Sequence, residues 1–162
     1  FLVRWPGRVK PGTITDQLVC LTDFMATVAE IVDSKIPENA AEDSLSFLPT
    51  LLGQTDKPSR TTLVSHSING SFAIRDGIWK LCLCPGSGGW STPRPGQKDA
   101  DLPPVQLFNL HDDIGEKTNL HDKHPEVVER LTALLNKYVT DGRSTPGAAQ
   151  KNAVAIQIRK AR

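Results

Sequence analysis

Aromatic residues are scarce in this chain: five Phe, three Trp and a single Tyr make up 6% of its 162 residues. Methionine occurs once and cysteine three times. Cys20, Cys82 and Cys84 form no C-x-x-C framework, and their odd number excludes a fully paired disulfide scaffold. Cys82 and Cys84 stand two apart on a predicted strand, a placement poorly suited to bridging, so all three read as small apolar fillers. No His or Cys pair stands at zinc-ligand spacing. No apolar run approaches the roughly 18 residues that a bilayer span needs. Charge of one sign is also missing. The net charge is +1, and the closing "KNAVAIQIRKAR" holds four cations and no acid, leaving −3 for residues 1–150. That balance, without a basic stripe interleaved with aromatics, excludes a nucleic-acid footprint.

What is present is a patterned chain with turn signals in two styles. "FLVRW" reads as a short strand ended by Pro6-Gly7. In "LTDFMATVAEIVDS", Phe24, Met25, Val28, Ile31 and Val32 fall at helical spacing, with Thr22 or Asp23 placed to cap the start. "EDSLSFLPTLLG" predicts a short amphipathic helical turn stopped by Gly53. Beyond the polar connector "QTDKPSR" the character changes to β-formers. "TTLVSHS", "SFAIR" and "IWKLCLC" are short strands, the last two joined by Asp76-Gly77, a hairpin dipeptide. Trp79, Leu81 and Leu83 share one face there; Ile78, Lys80, Cys82 and Cys84 share the other. After the Gly/Pro/Ser loop "PGSGGWSTPRPGQKDADLPP" comes a fourth strand, "VQLFNL". Pro125 then suits the first position of a helix whose stripe runs through Val127, Val128, Leu131, Leu134, Leu135, Tyr138 and Val139.

The expected organisation follows from this pass. Residues 58–142 form an antiparallel four-stranded sheet with one helix on a face. Residues 143–162 form a flexible basic tail. Residues 1–57 are the incomplete end of another layer: one strand and one and a half helices cannot bury "FLVRW" on both faces. A chain that opens on an apolar run, with no capping residue before it, is expected to be the tail of a longer protein.

Several of these pieces together resemble a known family. "LVRWPGRVKPG", "LTDFMATVAEI" and "DSLSFLPTLLG" follow the order found after the catalytic core of sulfatases. "FAIRDGIWKL" is similar to the hairpin of their C-terminal subdomain. "LFNLHDDIGEKTNL" resembles the signature LYDL-x-x-DPGE-x-x-NL, with Phe108 for Tyr, Asn109 for Asp and Ile114 for Pro. The helix "HPEVVERLTALLNKY" comes next, as it does in the family. The likeness covers nearly all of residues 1–142 and implies an α/β fold (α+β locally), the C-terminal part of an alkaline-phosphatase-like arylsulfatase.

The resemblance implies a chemistry that sits elsewhere. Sulfatases convert a Cys or Ser in a C/S-x-P-x-R motif to formylglycine, whose hydrate attacks sulfur. A divalent cation, usually calcium, acts as Lewis acid on Asp and Asn oxygens. "CPGSGG" at Cys84 has neither the Pro two positions on nor the Arg, and no catalytic residue is assigned to this chain. The family's last catalytic Lys lies just upstream of the "WPG" strand. Calcium and formylglycine are therefore implied for the full-length enzyme, with none bound by this chain. The implied partners are an N-terminal catalytic domain of the same protein and a sulfated small molecule or glycan. The implied location is periplasmic or secreted.

Two places can still touch substrate, because the family's C-terminal subdomain leans on the active-site mouth. His66, in "SHSING", ends a strand before a loop; it is either a substrate contact or a strand-end histidine satisfied by backbone. Asn69-Gly70 beside it is a turn signal. The long loop carries Trp90, which either stacks on a sugar or aryl ring or plugs the loop, and Arg94, which either meets an anionic group or is simply solvated. Trp5 and Trp79 are predicted in the core, and Arg75 beside a local carboxylate. Asp112, Asp113 and Glu116 read as turn acids, and His111, His121 and His124 lack ligand spacing, so no metal is assigned. Two other readings stand beside the sulfatase one: a non-catalytic, stand-alone binding module, and a fragment of a related phosphate or phosphonate ester hydrolase.

Overall fold

The computed structural model describes residues 1–54, 56–94, 97 and 101–159. It divides into two units. The first comprises Phe1–Thr61 with Asp141–Lys151; the second comprises Thr62–Thr140 and the chain from Asn152 onward.

The second unit is built on an antiparallel sheet of four strands in sequential order: β1 (Thr62–His66), β2 (Phe72–Asp76), β3 (Trp79–Cys82) and β4 (Gln106–Asn109). Each neighbour in the sheet is the neighbour in sequence, which local hairpin signals favour. Asp76 pairs with Trp79 across the two-residue turn, and Gly77 takes the positive φ of 56° that this turn needs. The register then sets Ile74 opposite Leu81, and Leu81 opposite Leu107. These three side chains share one face and are fully buried. Against them packs helix α3 (Pro125–Asp141), through Val127, Leu131 and Leu135, with Trp79 and Tyr138 partly buried at the margin of the cluster. The Trp79/Leu81/Leu83 face is thus the core face, and Pro125 opens the helix as its fixed φ predicts. Tyr138 also hydrogen-bonds Thr62 through their hydroxyls at 2.9 Å.

The first unit holds a 3-10 turn (Leu21–Asp23) leading into α1 (Phe24–Ile31), and a short α2 (Leu48–Leu51). Its centre is polar. Asp23 and Arg60 are 1% and 6% exposed, and they form an ion pair. Arg60 Nε donates to Asp23 Oδ2 at 3.0 Å and Arg60 Nη2 donates to Oδ1. The same carboxylate accepts the backbone N–H groups of Cys20 (2.8 Å) and Leu45 (2.9 Å), while Arg60 reaches the Asp43 carbonyl at 2.8 Å. Thr27 continues the network: its hydroxyl donates to the Asp23 carbonyl and accepts from Phe47 N–H. Neither Thr22 nor Asp23 therefore caps α1 with its side chain. The Asp23 carboxylate instead caps the preceding 3-10 turn through Cys20 N–H and is shared with the sequence-distant Leu45 and Arg60, and the Thr22 hydroxyl donates to the Asp43 carbonyl.

Three further expectations change. "FLVRW" is not a strand: residues 1–5 form no regular element and have no ladder partner among the described residues. Composition favours β structure there, but a strand exists only with a ladder partner. Trp5 is half-buried rather than part of the core. The segment after α3, expected as a flexible tail from residue 143, is held. Gly142, with φ 62°, ends the helix, and Gln150 N–H returns to the Asp141 carbonyl at 2.7 Å. Arg143 donates to the carbonyls of Thr145 and Ala148, and Ser144 donates twice to Asp43 Oδ1. Farther on, Ile158 packs on the core of the second unit.

The apolar face of α1 is where periodicity and packing part. Phe24, Met25, Val28, Ile31 and Val32 lie on the predicted stripe, yet all are exposed, Val28 by 51% and Val32 by 63%. The buried residue of the helix is Thr27. Phe24 meets Phe1 and the buried Phe47 edge-to-face, with all three ring-centroid distances between 5.4 and 5.7 Å. Leu2 and Leu21 extend the exposed apolar surface.

Candidate functional site

One end of the four-stranded sheet gathers the candidate residues. β1 ends at His66 and β2 begins at Phe72, directly opposite in register. The His66 ring sits edge-to-face on Phe72 at 4.1 Å between centroids, and its residue is exposed. The connecting turn is tied by Gly70 N–H to the Ser67 carbonyl and Ser67 N–H to the Ser71 carbonyl, both 2.9 Å. β3 leaves the same end of the sheet and β4 enters there, so the connection between them begins and ends beside that turn.

The described part of this connection is braced from below and within. Gln106, at the start of β4, donates its side-chain amide to the carbonyls of Cys84 and Gly86. Ser87 N–H donates to the Pro93 carbonyl at 3.1 Å, and the Ser87 hydroxyl donates to Ser91 O at 2.6 Å while accepting from Gly89 N–H. Arg94 Nε donates to the Trp90 carbonyl at 3.0 Å. The two loops also touch. A Cβ on Gly88, whose φ is +63°, would stand 2.8 Å from Cys84 Sγ of its own loop and 3.4 Å from Ser67, so glycine fits the turn of this loop where it lies against Ser67. Gly89 lies against Ile68 Cγ2.

Trp90 is 78% exposed at the tip, and Ile68 on the neighbouring turn is 65% exposed. Trp90 is therefore not a plug inside its loop. Arg94 is exposed, with its guanidinium held at the loop by the Trp90 carbonyl. The structure thus brings Trp90 and Arg94 together, and the turn that follows His66 packs on their loop. Ile68 was missed by sequence reading. The Gly88-Gly89 pair is the signal that marks the close approach beside it.

The remaining polar candidates serve the scaffold. Asp113 Oδ2 accepts the N–H groups of Lys117 (2.7 Å) and Thr118 (2.8 Å), Asp112 accepts from Asn109, and Glu116 pairs with Lys80 at 2.6 Å. Arg75 donates to the Gly77 carbonyl rather than to a carboxylate, and Asp76 pairs instead with Arg130. His124 meets Trp79 in a tilted ring contact at 5.0 Å between centroids and bonds Glu126; His121 meets Asp122, and His111 lies beside Asp112. Cys82 has its thiol pKa pushed up to about 11, chiefly by burial, with Lys80 pulling it back and Glu116 and Cys84 adding to the rise. A thiol held protonated in this way is a poor nucleophile. Among the described residues no group of three or more His, Cys, Asp or Glu side chains is arranged to hold a metal ion. The described residues do not fit a calcium cage, and the sequence at Cys84 does not fit a formylglycine precursor. No described helix is long and apolar enough to cross a membrane.

Comparison with known proteins gives a consistent answer. No family model matches the chain. An N-acetylgalactosamine-6-O-sulfatase of Bacteroides thetaiotaomicron is 38% identical over 143 residues, covering 86% of this chain and 27% of the relative. Arylsulfatase A of Bos taurus is 34% identical over 165 residues, covering 92% of this chain and 32% of the relative. A solved structure from work on glycosaminoglycan metabolism by Bacteroides thetaiotaomicron superposes with a TM-score of 0.66 at 34% identity, over 83% of this chain and 27% of that one. The chain spans about a third or less of the relatives it matches. With this agreement of sequence, sheet order and terminal helix, the chain belongs to the sulfatase family and corresponds to its C-terminal portion.

Proposed function

We propose that this chain completes a sulfate ester hydrolase whose nucleophile, metal ligands and sulfate clamp lie on an N-terminal catalytic polypeptide of the same protein. The observation that carries the reading is the bare apolar surface of the first unit. Leu21, Met25, Val28 and Val32 repeat along one side of a helix and its lead-in, and the structure leaves them in water. Apolar surface that recurs at helical spacing is made to be covered. The matched relatives supply a candidate for the cover, since most of their length lies outside the match. A stand-alone binding module gives no reason for this face.

On this reading calcium and formylglycine belong to the catalytic polypeptide, and the protein acts in the periplasm or outside the cell. The sheet end carrying His66, Trp90 and Arg94 then forms part of the substrate mouth. Sulfate esters are favoured over phosphate or phosphonate esters because the similar relatives are sulfatases. The test is to express the coding region with its upstream sequence and assay nitrophenyl sulfate with calcium present. The longer product is expected to carry a C/S-x-P-x-R motif and to release nitrophenol. The 162-residue chain alone is expected to match the protein-free blank, and turnover by it would refute the proposal.

A further inference from the structure

We infer that the loop from Cys84 to Arg94 is a saccharide platform. In it Trp90 receives the face of a pyranose ring and Arg94 pairs with an anionic substituent of the same chain, so that an extended acidic glycan is preferred over a small aryl sulfate. The inference rests on the sulfatase reading and names the substrate class that the sheet end would select.

Three observations carry it. The first is the presentation of Trp90. Exposing an indole leaves a large apolar face in water, where a ligand that covers it gains the burial. Here the loop is not slack: Ser87, Ser91, Pro93, Gln106 and Arg94 fix its backbone around the tip. A braced backbone under an exposed ring lowers the cost of ordering the loop when a ligand binds. The second is the pairing of chemistries. Arg94 Nε bonds the Trp90 carbonyl, which places a guanidinium and an aromatic face on one short turn. Sugar C–H faces stack on aromatic rings, and sulfate or carboxylate groups take paired N–H donors from guanidinium. A saccharide carrying anionic groups offers both. An aryl sulfate offers one ring and one anionic group, and so has no second anionic substituent to leave for Arg94 once its sulfate is bound for cleavage.

The third is the seat of the platform. Gly88 and Gly89 let it rest directly on the β1–β2 turn, with no side chain between Gly88 and Ser67. Ile68, on that turn, is exposed and lies against Gly89, the residue before Trp90, so a second exposed apolar side chain stands near the platform.

The experiment compares Trp90→Ala, Trp90→Phe and Arg94→Gln in the full-length gene product on two probes. One is a hexasaccharide of alternating uronic acid and 6-sulfated N-acetylgalactosamine; the other is nitrophenyl sulfate. The ratio of kcat/KM on the hexasaccharide to that on nitrophenyl sulfate is expected to fall ~10-fold in Trp90→Ala, and Trp90→Phe is expected to recover most of it. Arg94→Gln is expected to lower the same ratio, with less effect at high salt. An unchanged ratio in Trp90→Ala overturns the inference. If the wild-type product cleaves no sulfate ester, the sulfatase reading fails by itself, and hexasaccharide binding to the 162-residue chain then decides the platform. A Kd raised ~10-fold by Trp90→Ala supports it; no binding, or an unchanged Kd, overturns it.

Discussion

Removing the Asp23–Arg60 pair by a double-mutant cycle is the sharpest stability test of the first unit. The Arg60 and Asp23 side chains are 4% and 2% exposed, so solvent screening offers little relief. Two hydrogen bonds join them directly, and each charge-assisted bond contributes about 1.5–3 kcal/mol before desolvation is counted. Deleting one member of such a pair costs about 3–5 kcal/mol, because the other charge stays buried without its partner. Arg60→Met keeps the side-chain bulk and leaves the Asp23 carboxylate, among the described residues, with the Cys20 and Leu45 amides. In a chain of this size each kcal/mol moves Tm by about 2–4 °C, so a loss of about 10 °C is expected. Asp23→Ala is expected to cost at least as much, since it also strands those two amides. The double variant should cost less than the sum, giving a coupling of about 3 kcal/mol from urea midpoints. A coupling below about 1 kcal/mol, the range of an exposed pair, would refute the account of this centre.

Two further perturbations read different links. Alkylation of Cys82 by iodoacetamide in native protein should rise with a midpoint near pH 11 rather than near its ordinary 9.0. The linked stability has a definite sign: with the folded thiol pKa raised, the contribution is complete below pH 9 and is lost as pH climbs toward 11, where only the unfolded chain has released its proton. Cys82→Ala should flatten that alkaline decline, and a labelling midpoint near 9 would contradict the burial argument. Gly142→Ala and Gly77→Ala share a positive φ, at 62° and 56°, but differ in surroundings. A Cβ at 77 meets nothing within 4 Å, so about 1–2 kcal/mol of backbone cost is expected. A Cβ at 142 would lie 2.1 Å from the Gln150 carbonyl oxygen, so residues 143–151 should detach and become protease-sensitive. Equal effects of the two substitutions would contradict this.

The second unit was legible in sequence because its rules are local. Asp76-Gly77 specifies its hairpin, alternation specifies the Trp79/Leu81/Leu83 face, and Pro125 marks the helix start. Arg60 carried no signal of its role: Asp23 is 37 residues away, and only the folded chain joins them. The tail misled for the same reason, since the donors of Arg143 find carbonyls that composition does not announce. "FLVRW" has the residues of a strand but no partner among the described residues. At the candidate site, Trp90 and Arg94 stood out as large residues in a Gly/Pro/Ser loop, whereas Ile68 became visible only once the two loops were seen to touch. The α1 stripe was read correctly as a periodic pattern, and its exposure is what turns that pattern into a statement about a larger protein.

That statement is tested most directly at Val28. A photo-crosslinking residue placed there in the full-length gene product, followed by mass spectrometry, should join α1 to a peptide of the N-terminal catalytic polypeptide within the same molecule. Crosslinks only to a second copy of residues 1–162, or to none, would contradict the claim that this surface is a sulfatase's internal seam.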